Sequence, residues 1–177
     1  MNFWHNLANK YIPIKKEIVN EAKIIRKKLF KGLNNILGVL MRGTDYISMR
    51  PKNHCIPPKL ETMIKDIKDM DKKNKYDWIF ITTEDNIIKK KLIKIFYSKA
   101  KYFSSKNLFN YNYKKKNFIV YNKNIKIDYN YMKIYLINII ILSKSKDIIC
   151  ARTRGSQAAF ILSNGFRNNK VYYLGEY

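Results

Sequence analysis

Residues 37–46, LGVLMRGTDY, are the stretch that decides the fold. Together with Ile36, the first half of this stretch is a short apolar run of the length and β-branched content that predicts a buried strand. The run ends abruptly in the charged segment RGTD, residues 42–45. Because ligands of open α/β sheets bind outside the carboxyl ends of the strands, we expect Arg42 and Asp45 to border a ligand site.

Arg42 is the strongest single candidate for a ligand-binding residue in this stretch. A guanidinium group makes two parallel, charge-assisted hydrogen bonds to adjacent phosphate oxygens and keeps its charge when it loses water. The alternative is an ion pair between Arg42 and Asp45 that closes a tight turn. These ten residues do not decide between a phosphate site and a structural turn.

Two later junctions repeat the pattern of a strand that ends in polar residues before a helix. Residues 76–83, YDWIFITT, predict a strand that is followed by Glu84, Asp85 and a helix over 87–97, with Thr83 as a candidate helix cap. Residues 147–151, DIICA, predict another strand, followed by RTRGSQ and a helix over 158–164. Backbone amides at such helix starts can bind an anion. The candidate ligand-binding residues at the three junctions are Arg42, Gly43, Thr44, Thr83, Glu84, Asp85, Arg154, Gly155, Ser156 and Gln157.

The remaining periodicity completes an alternating pattern of helices and strands. Helical spacing predicts helices over residues 15–31, 60–70 and 131–145, and apolar runs predict short strands over 101–103 and 171–174. The predicted fold is a single α/β domain over 36–177, with a mainly parallel sheet and helices on both faces, preceded by an N-terminal segment and helix over 1–35. Residues 104–130 are rich in Asn, Lys and Tyr and predict only one strand, over 118–121.

The charge of the chain is extreme, at +23 over 177 residues. Taken alone, this charge favours a polyanionic partner. The chain is also rich in Asn, Ile and Tyr, as a strongly AT-rich coding bias would make it, and its Lys residues are spread along nearly every segment. We therefore do not expect nucleic acid as the partner, and we interpret the basic surface as one that attracts an anionic ligand.

Other classes of site have little support in the sequence. Cys55 and Cys150, with only two histidines, lack metal-ligand spacing, so we expect no metal and no bound cofactor. The most apolar run, residues 134–142, is far shorter than the roughly 20 residues of a membrane span and predicts a buried helix. Because no secretory signal follows Met1, the expected location is the cytoplasm, with peripheral attachment at the inner membrane surface as an alternative.

Three motifs together carry a resemblance to a known family. GVLMRGTDY, WIFITTEDN and IICARTRGSQAAF, the last preceded by LINIIILS, resemble the nucleotide-sugar half of the fucosyltransferase superfamily. The loop RPKNHCIPP and the ending VYYLGEY are similar to bacterial members that build surface polysaccharides. The resemblance covers roughly residues 37–177 and implies a Rossmann-like domain, one half of a GT-B glycosyltransferase. It also implies that a second, N-terminal domain, which would supply the acceptor surface, is missing from this chain.

The resemblance assigns roles to particular residues. Arg42 stands where the family arginine binds the β-phosphate of GDP and assists its departure, and Asp45 matches the family acid three residues later. Glu84 and Asp85 fall in the segment that contacts the base and the ribose of the nucleotide. Ser156 and Gln157 match the turn that binds the phosphate oxygens. His54, in the loop RPKNHCIPP, is a further candidate for substrate binding.

The implied activity is an inverting, metal-independent glycosyl transfer. The donor would be a GDP-sugar, with fucose the expected sugar, and the acceptor a glycan in surface polysaccharide biosynthesis. The sequence departs from the family pattern at Leu40, Arg50 and Asn138, where members commonly carry a histidine, a glutamate and an acid. The resemblance therefore identifies no catalytic base, and Asp45 is only a candidate for this role. Two alternatives stay open: a nucleotide-binding fragment without transferase activity, and a basic nucleic-acid-binding protein.

Overall fold

The central strand of the protein is β1, Ile36–Leu40, and all five of its residues are buried. The computed structural model describes residues 2–43, 46–47, 50–104 and 129–177. Thr44, Asp45 and the predicted strand over 118–121 lie outside the described residues. The other strands are β2 Trp78–Thr82, β3 Ala100–Lys101, β4 Asp147–Ala151 and β5 Asn169–Tyr172. The helices are α1 Asn2–Tyr11, α2 Lys16–Phe30, α3 Leu60–Asn74, α4 Asn86–Ile95, α5 Tyr129–Ser143 and α6 Arg154–Leu162.

The five strands form one parallel sheet in the order β3-β2-β1-β4-β5. Leu40, the last residue of β1, is in register with Thr82 of β2 and with Cys150 of β4, so these three strands end at one level. This strand order is that of the first five strands of a Rossmann-like doubly wound sheet. The predicted α/β class with a parallel sheet is therefore confirmed.

Helices cover both faces of the sheet, as predicted, because alternate side chains of each strand point in opposite directions. Ile36 and Leu40 of β1 face a core built with α2, α5 and α6. Leu37 and Val39 face a second core built with α3 and α4. A strand that is buried on both faces must be apolar throughout, which is why β1 reads as a continuous apolar run.

Helix α5 contains the most apolar run of the chain. Its residues 137–143 are all buried, and they belong to the core next to α2, as predicted for a buried helix. A Cβ atom on Gly38 would lie 2.6 Å from Leu142 Cδ1, so a glycine in β1 allows α5 to approach the sheet closely. Among the described residues, no helix has the length and apolar character needed to cross a membrane.

Helix boundaries differ from the prediction at the end of α3, which extends to Asn74 instead of residue 70, and at the start of α6. Helix α1 lies in the N-terminal segment, where no helix was predicted. The apolar pattern places the start of α6 at residue 158, but the helix begins at Arg154, because Thr153 caps it. Residues 154–157, which we predicted as a polar turn, therefore form its first turn. Helix α2 contributes Ile18, Ala22 and Phe30 to the same core as β1.

Asp147 organises the amino-terminal end of the sheet. Its carboxylate is fully buried and accepts hydrogen bonds from Tyr76 Oη, from Arg167 and from the backbone and side chain of Asn168. Burial alone would raise the pKa of Asp147, but these donors hold it below its ordinary value. This cluster lies at the opposite end of the strands from the predicted ligand site, and its role is structural.

The last residues of the chain hold the loop that follows β1. Cys55 and Glu176 form an antiparallel bridge. The amide of Ile56 donates to the carbonyl of Gly175 (3.0 Å), and the amide of Tyr177 donates to the carbonyl of His54 (3.1 Å). The loop that carries His54 is thereby fixed against the end of the chain.

Candidate functional site

The candidate site lies where the sheet changes direction. From β1 the chain proceeds to β2 and β3 on one side, and it then returns to place β4 and β5 on the other side. The loops after β1 and β4 therefore diverge and leave a crevice at the carboxyl ends of these strands, which is where open α/β sheets bind ligands. The segments that follow β1, β2 and β4 all reach this edge, as the sequence predicts.

Arg42 is held in place by two neighbours at this edge. Its Nε atom lies 3.3 Å from Glu84 Oε1, and its guanidinium carbon lies 4.8 Å from the centre of the Tyr46 ring. The same Glu84 oxygen accepts a hydrogen bond from the amide of Gly43 at 3.0 Å. Buried Glu84 thus fixes both Arg42 and the backbone that follows β1. The sequence also allowed an ion pair between Arg42 and Asp45, but Asp45 lies outside the described residues. Within the described residues, Arg42 forms an ion pair with Glu84.

Asp85, and not Thr83, caps the helix after β2, which corrects the predicted cap. Asp85 Oδ1 accepts from the amides of Ile87 and Ile88, at 2.7 and 3.0 Å. Thr83 instead supports the cap, because its Oγ1 accepts from the amide of Asp85 at 3.2 Å. A Cβ on Gly43 would lie 2.7 Å from Asp85 Cβ. A glycine after Arg42 therefore allows the backbone to pass close to the capping residue Asp85.

The start of α6 is closed by a reciprocal capping box. Thr153 Oγ1 accepts from the amide of Ser156, and Ser156 Oγ accepts from the amide of Thr153 at 2.8 Å. Ser156 Oγ also donates to the carbonyl of Thr153, so its hydroxyl is fully used within the cap. Ser156 is buried and shapes the helix start, while Arg154 and Gln157 are exposed beside it. The helix dipole adds positive potential at this end.

Gly155 and Tyr135 bring α6 close to α5 beside the crevice. A Cβ on Gly155 would lie 2.7 Å from Tyr135 Oη. Burial raises the pKa of the Tyr135 phenol; the charge of Arg42 opposes this shift and that of Glu84 adds to it. Tyr135 therefore lies within electrostatic reach of the Arg42–Glu84 pair and forms part of the same site.

We expect Gly155→Ala to destabilise the protein by about 1–3 kcal/mol, because the added methyl group meets the Tyr135 hydroxyl. Adding Tyr135→Phe removes the oxygen and should recover most of this loss, while Tyr135→Phe alone should be nearly neutral. Urea unfolding of the four proteins in the double-mutant cycle measures the coupling. Additive effects would show that Tyr135 is not what excludes a side chain at position 155.

A polar cleft of about 220 Å³ opens next to Arg42. Tyr46, on which Arg42 stacks, forms one wall, and His54 packs edge-on against Tyr46 with 5.3 Å between ring centres. Cleft-lining residues with polar side chains include Tyr46, Asn53, His54, Arg152, Arg154, Gln157 and Glu176. Three predicted residues from two distant segments, His54, Arg154 and Gln157, are thereby brought together.

Cys55 lines this cleft and Cys150 belongs to β4, and both cysteines are buried. Burial raises the pKa of Cys55, although the charges of Arg42 and Arg152 both act to lower it. Burial also raises the pKa of Cys150 to about 12. Both thiols are therefore protonated at neutral pH, and neither has the thiolate character of a nucleophile.

A second, larger cavity of about 550 Å³ lies on the other side of the same edge, between the starts of α3 and α4. Its lining is mostly apolar and includes Met41, Ile56, Leu60, Ile87 and Ile88, with Arg50, Lys59 and Lys91 as its cationic members. None of the predicted ligand-binding residues that the structure describes lines it. Among the described residues, no three metal-ligating side chains come together.

No family model matches this chain, and no curated protein is significantly similar to it.

Sequence reasoning missed several residues of the site. Arg152 lines the cleft and stacks on Tyr173, with 5.0 Å between the guanidinium carbon and the ring centre. Its position directly after β4, matching that of Arg42 near the end of β1, was a usable signal. Tyr46 and Tyr135 carried no such signal, because the chain contains 14 tyrosines and most of its segments hold one.

Proposed function

We propose that the protein binds a nucleotide-sugar, and specifically a GDP-sugar, at the crevice beside Arg42. The observation that carries the proposal is the fixed guanidinium of Arg42, held by Glu84 and Tyr46 where β1 and β4 diverge. The start of α6 and the additional cations Arg152 and Arg154 lie along the adjoining cleft. A diphosphate is the ligand whose charge best matches this arrangement.

The proposed reaction is inverting transfer of the sugar, expected to be fucose, to a glycan acceptor in surface polysaccharide biosynthesis. Negative charge develops on the departing diphosphate, and a preorganised guanidinium with helix amides stabilises such charge without a metal. Arg42 is the residue assigned to this role. Asp45, the candidate base, and Thr44 keep their proposed roles from the family resemblance alone.

The proposal includes partners and a location. The acceptor surface would come from a second domain, as in the two halves of a GT-B enzyme. The expected location is the cytoplasm, with attachment at the inner membrane surface as the alternative. Without a second domain the chain would act as a nucleotide-binding fragment, which predicts donor binding with no transfer.

Calorimetric titration of the purified chain with GDP, UDP and a short single-stranded DNA, at low and high salt, tests the proposal. We expect saturable GDP binding, with UDP weaker by at least about tenfold. DNA binding that falls steeply with salt, in the absence of GDP binding, would instead support the nucleic-acid function that the charge of +23 favours. A chain that binds neither ligand would refute both functions.

A further inference from the structure

Helix α1 exposes an unusual amount of apolar surface. Phe3 is 67% exposed, Trp4 60% and Tyr11 65%, and Leu7 is exposed as well. Ile12, directly after the helix, is 76% exposed. At 100° per residue, the four helical side chains fall within an arc of about 100° and therefore form one face. Four large apolar residues on one outward face of a ten-residue helix make a contiguous patch, which indicates an interaction surface.

The opposite side of α1 is attached to the protein. His5 Nδ1 lies 3.2 Å from the carbonyl oxygen of Ile161 in α6. Asn9 Nδ2 lies 3.0 Å from His5 Nε2. His5 and Asn9 project away from the apolar arc, so α6 holds the polar side of α1 and the aromatic face points outward.

Cations surround this apolar face. Lys10 flanks the arc and lies 5.1 Å from the centre of the Tyr11 ring. Lys15 and Lys16 lie a few residues further along the chain, and both are exposed. Lys15 lies 5.8 Å from the centre of the Tyr129 ring, which is exposed at the start of α5. Helix α2 carries further exposed lysines, namely Lys23, Lys27 and Lys28, and exposed Lys31 follows its end.

We propose that α1 is a docking helix for an anionic lipid bilayer surface. Trp and Tyr favour the level of the lipid headgroups, Phe, Leu and Ile enter the acyl boundary, and lysines beside them attract anionic headgroups. The side chains Phe3, Trp4, Leu7, Tyr11 and Ile12 would insert, and Lys10, Lys15 and Lys16 would contact the headgroups. The helix would lie in the plane of the surface and would not cross the bilayer.

The charge of the chain favours this occupant over a second copy of itself. Two chains of +23 repel one another, and the lysines that flank α1 would face each other in a symmetric pair. An anionic bilayer satisfies both the apolar arc and the cations around it. The inference goes beyond donor binding and does not require transferase activity, so loss of GDP binding would leave it standing.

Cosedimentation with vesicles tests the proposal. We expect the full chain to sediment with vesicles of equal parts phosphatidylcholine and phosphatidylglycerol, and to stay in solution with phosphatidylcholine alone. The double variant Trp4→Ser/Leu7→Ser should bind the anionic vesicles at least about tenfold more weakly, because it loses two inserting side chains. Tryptophan fluorescence, to which Trp78 also contributes, should shift to shorter wavelength on the anionic vesicles because Trp4 enters the bilayer surface.

Tyr97→Ser is the matched control, since Tyr97 is 83% exposed after α4, on the other side of the sheet, and should not affect vesicle binding. Circular dichroism should show that both variants remain folded. Equal binding of the wild type and the double variant to anionic vesicles would overturn the proposal. General charge attraction would then explain the binding. A dimer in sedimentation equilibrium that Trp4→Ser/Leu7→Ser dissolves, with no binding of the wild type to vesicles, would assign the face to a second copy instead.

Discussion

Replacing Arg42 with alanine should weaken GDP binding by about a hundredfold, while GDP-sugar transfer, if the chain is competent for it, should fall at least as far. The size of the effect follows from two charge-assisted hydrogen bonds to phosphate, each worth about 1.5–3 kcal/mol and together at least about 3 kcal/mol. The structure adds a second consequence. Glu84, whose Oε1 atom lies 3.3 Å from Arg42 Nε, would be left as a buried carboxylate without its cation.

The measurement must therefore separate lost ligand contacts from lost stability. Calorimetric titration with GDP should compare Arg42→Ala with the double variant Arg42→Ala/Glu84→Gln, which removes both charges, so that no buried carboxylate loses the arginine beside it. Both should bind GDP weakly, and the double variant should be the more stable in urea. Arg50→Ala is the matched control, because Arg50 is an exposed arginine at the other cavity and should leave GDP affinity unchanged. If wild-type GDP affinity survived in a folded Arg42→Ala protein, the central assignment would be wrong.

Asp147→Ala should lower the free energy of unfolding by about 3 kcal/mol, without any contact with the ligand site. The carboxylate is fully buried, and its removal leaves the buried Tyr76 hydroxyl and the Asn168 amide without their acceptor. Removing one partner of a buried ion pair costs about 3–5 kcal/mol. We expect the lower end of this range, because the Arg167 side chain is partly exposed and can be solvated after the substitution. Urea unfolding at neutral pH measures the loss, and Glu61→Ala, which breaks the exposed pair with Lys91, should leave the free energy of unfolding almost unchanged.

The same carboxylate predicts a dependence of stability on pH. The pKa of Asp147 is lower in the folded protein than its ordinary value of 3.8, so the folded state favours the ionised form. Its contribution is complete above that ordinary value and is lost as pH falls below it towards the folded pKa. The difference in stability between wild type and Asp147→Ala should thus be constant near neutral pH and should shrink below about pH 4. A difference that stays constant into the acid range would show that the charge of Asp147 is not what stabilises the fold.

Strands β1, β2 and β4, and the edge that carries the candidate site, could be predicted from the sequence, because burial on both faces forces a continuous apolar run. Residues 147–151 of β4 were predicted at their observed bounds for this reason. The outer strands β3 and β5 are less buried, and their predicted bounds, 101–103 and 171–174, start one or two residues late. The start of α6 could not be predicted from apolar spacing, since its first turn is fixed by the polar exchange between Thr153 and Ser156. Helix ends depend on such local hydrogen bonds, which do not appear in the periodic spacing of apolar residues along the sequence.

The contacts within the site were harder to predict than its location. The pairing of Arg42 with Glu84 joins two segments that meet only because β1 and β2 are neighbours in the sheet. The interpretation from sequence placed Glu84 against a ligand, whereas its carboxylate holds Arg42 and the amide of Gly43. The position of His54 likewise depends on the end of the chain, through the amide of Tyr177.

The position of β1 between β2 and β4 also sets an order for folding. The partner on one side, β2, follows β1 closely in the chain, whereas β4 begins only at residue 147. Contacts that close long loops form late, so the half sheet β3-β2-β1 should assemble first and leave one edge of β1 unpaired until the last part of the chain arrives. The crevice lies at the boundary between β1 and β4. One of its walls comes from the strands that assemble first, and the other comes from the strands that join later. A nascent chain can therefore hold the Arg42–Glu84 pair well before it has a complete site.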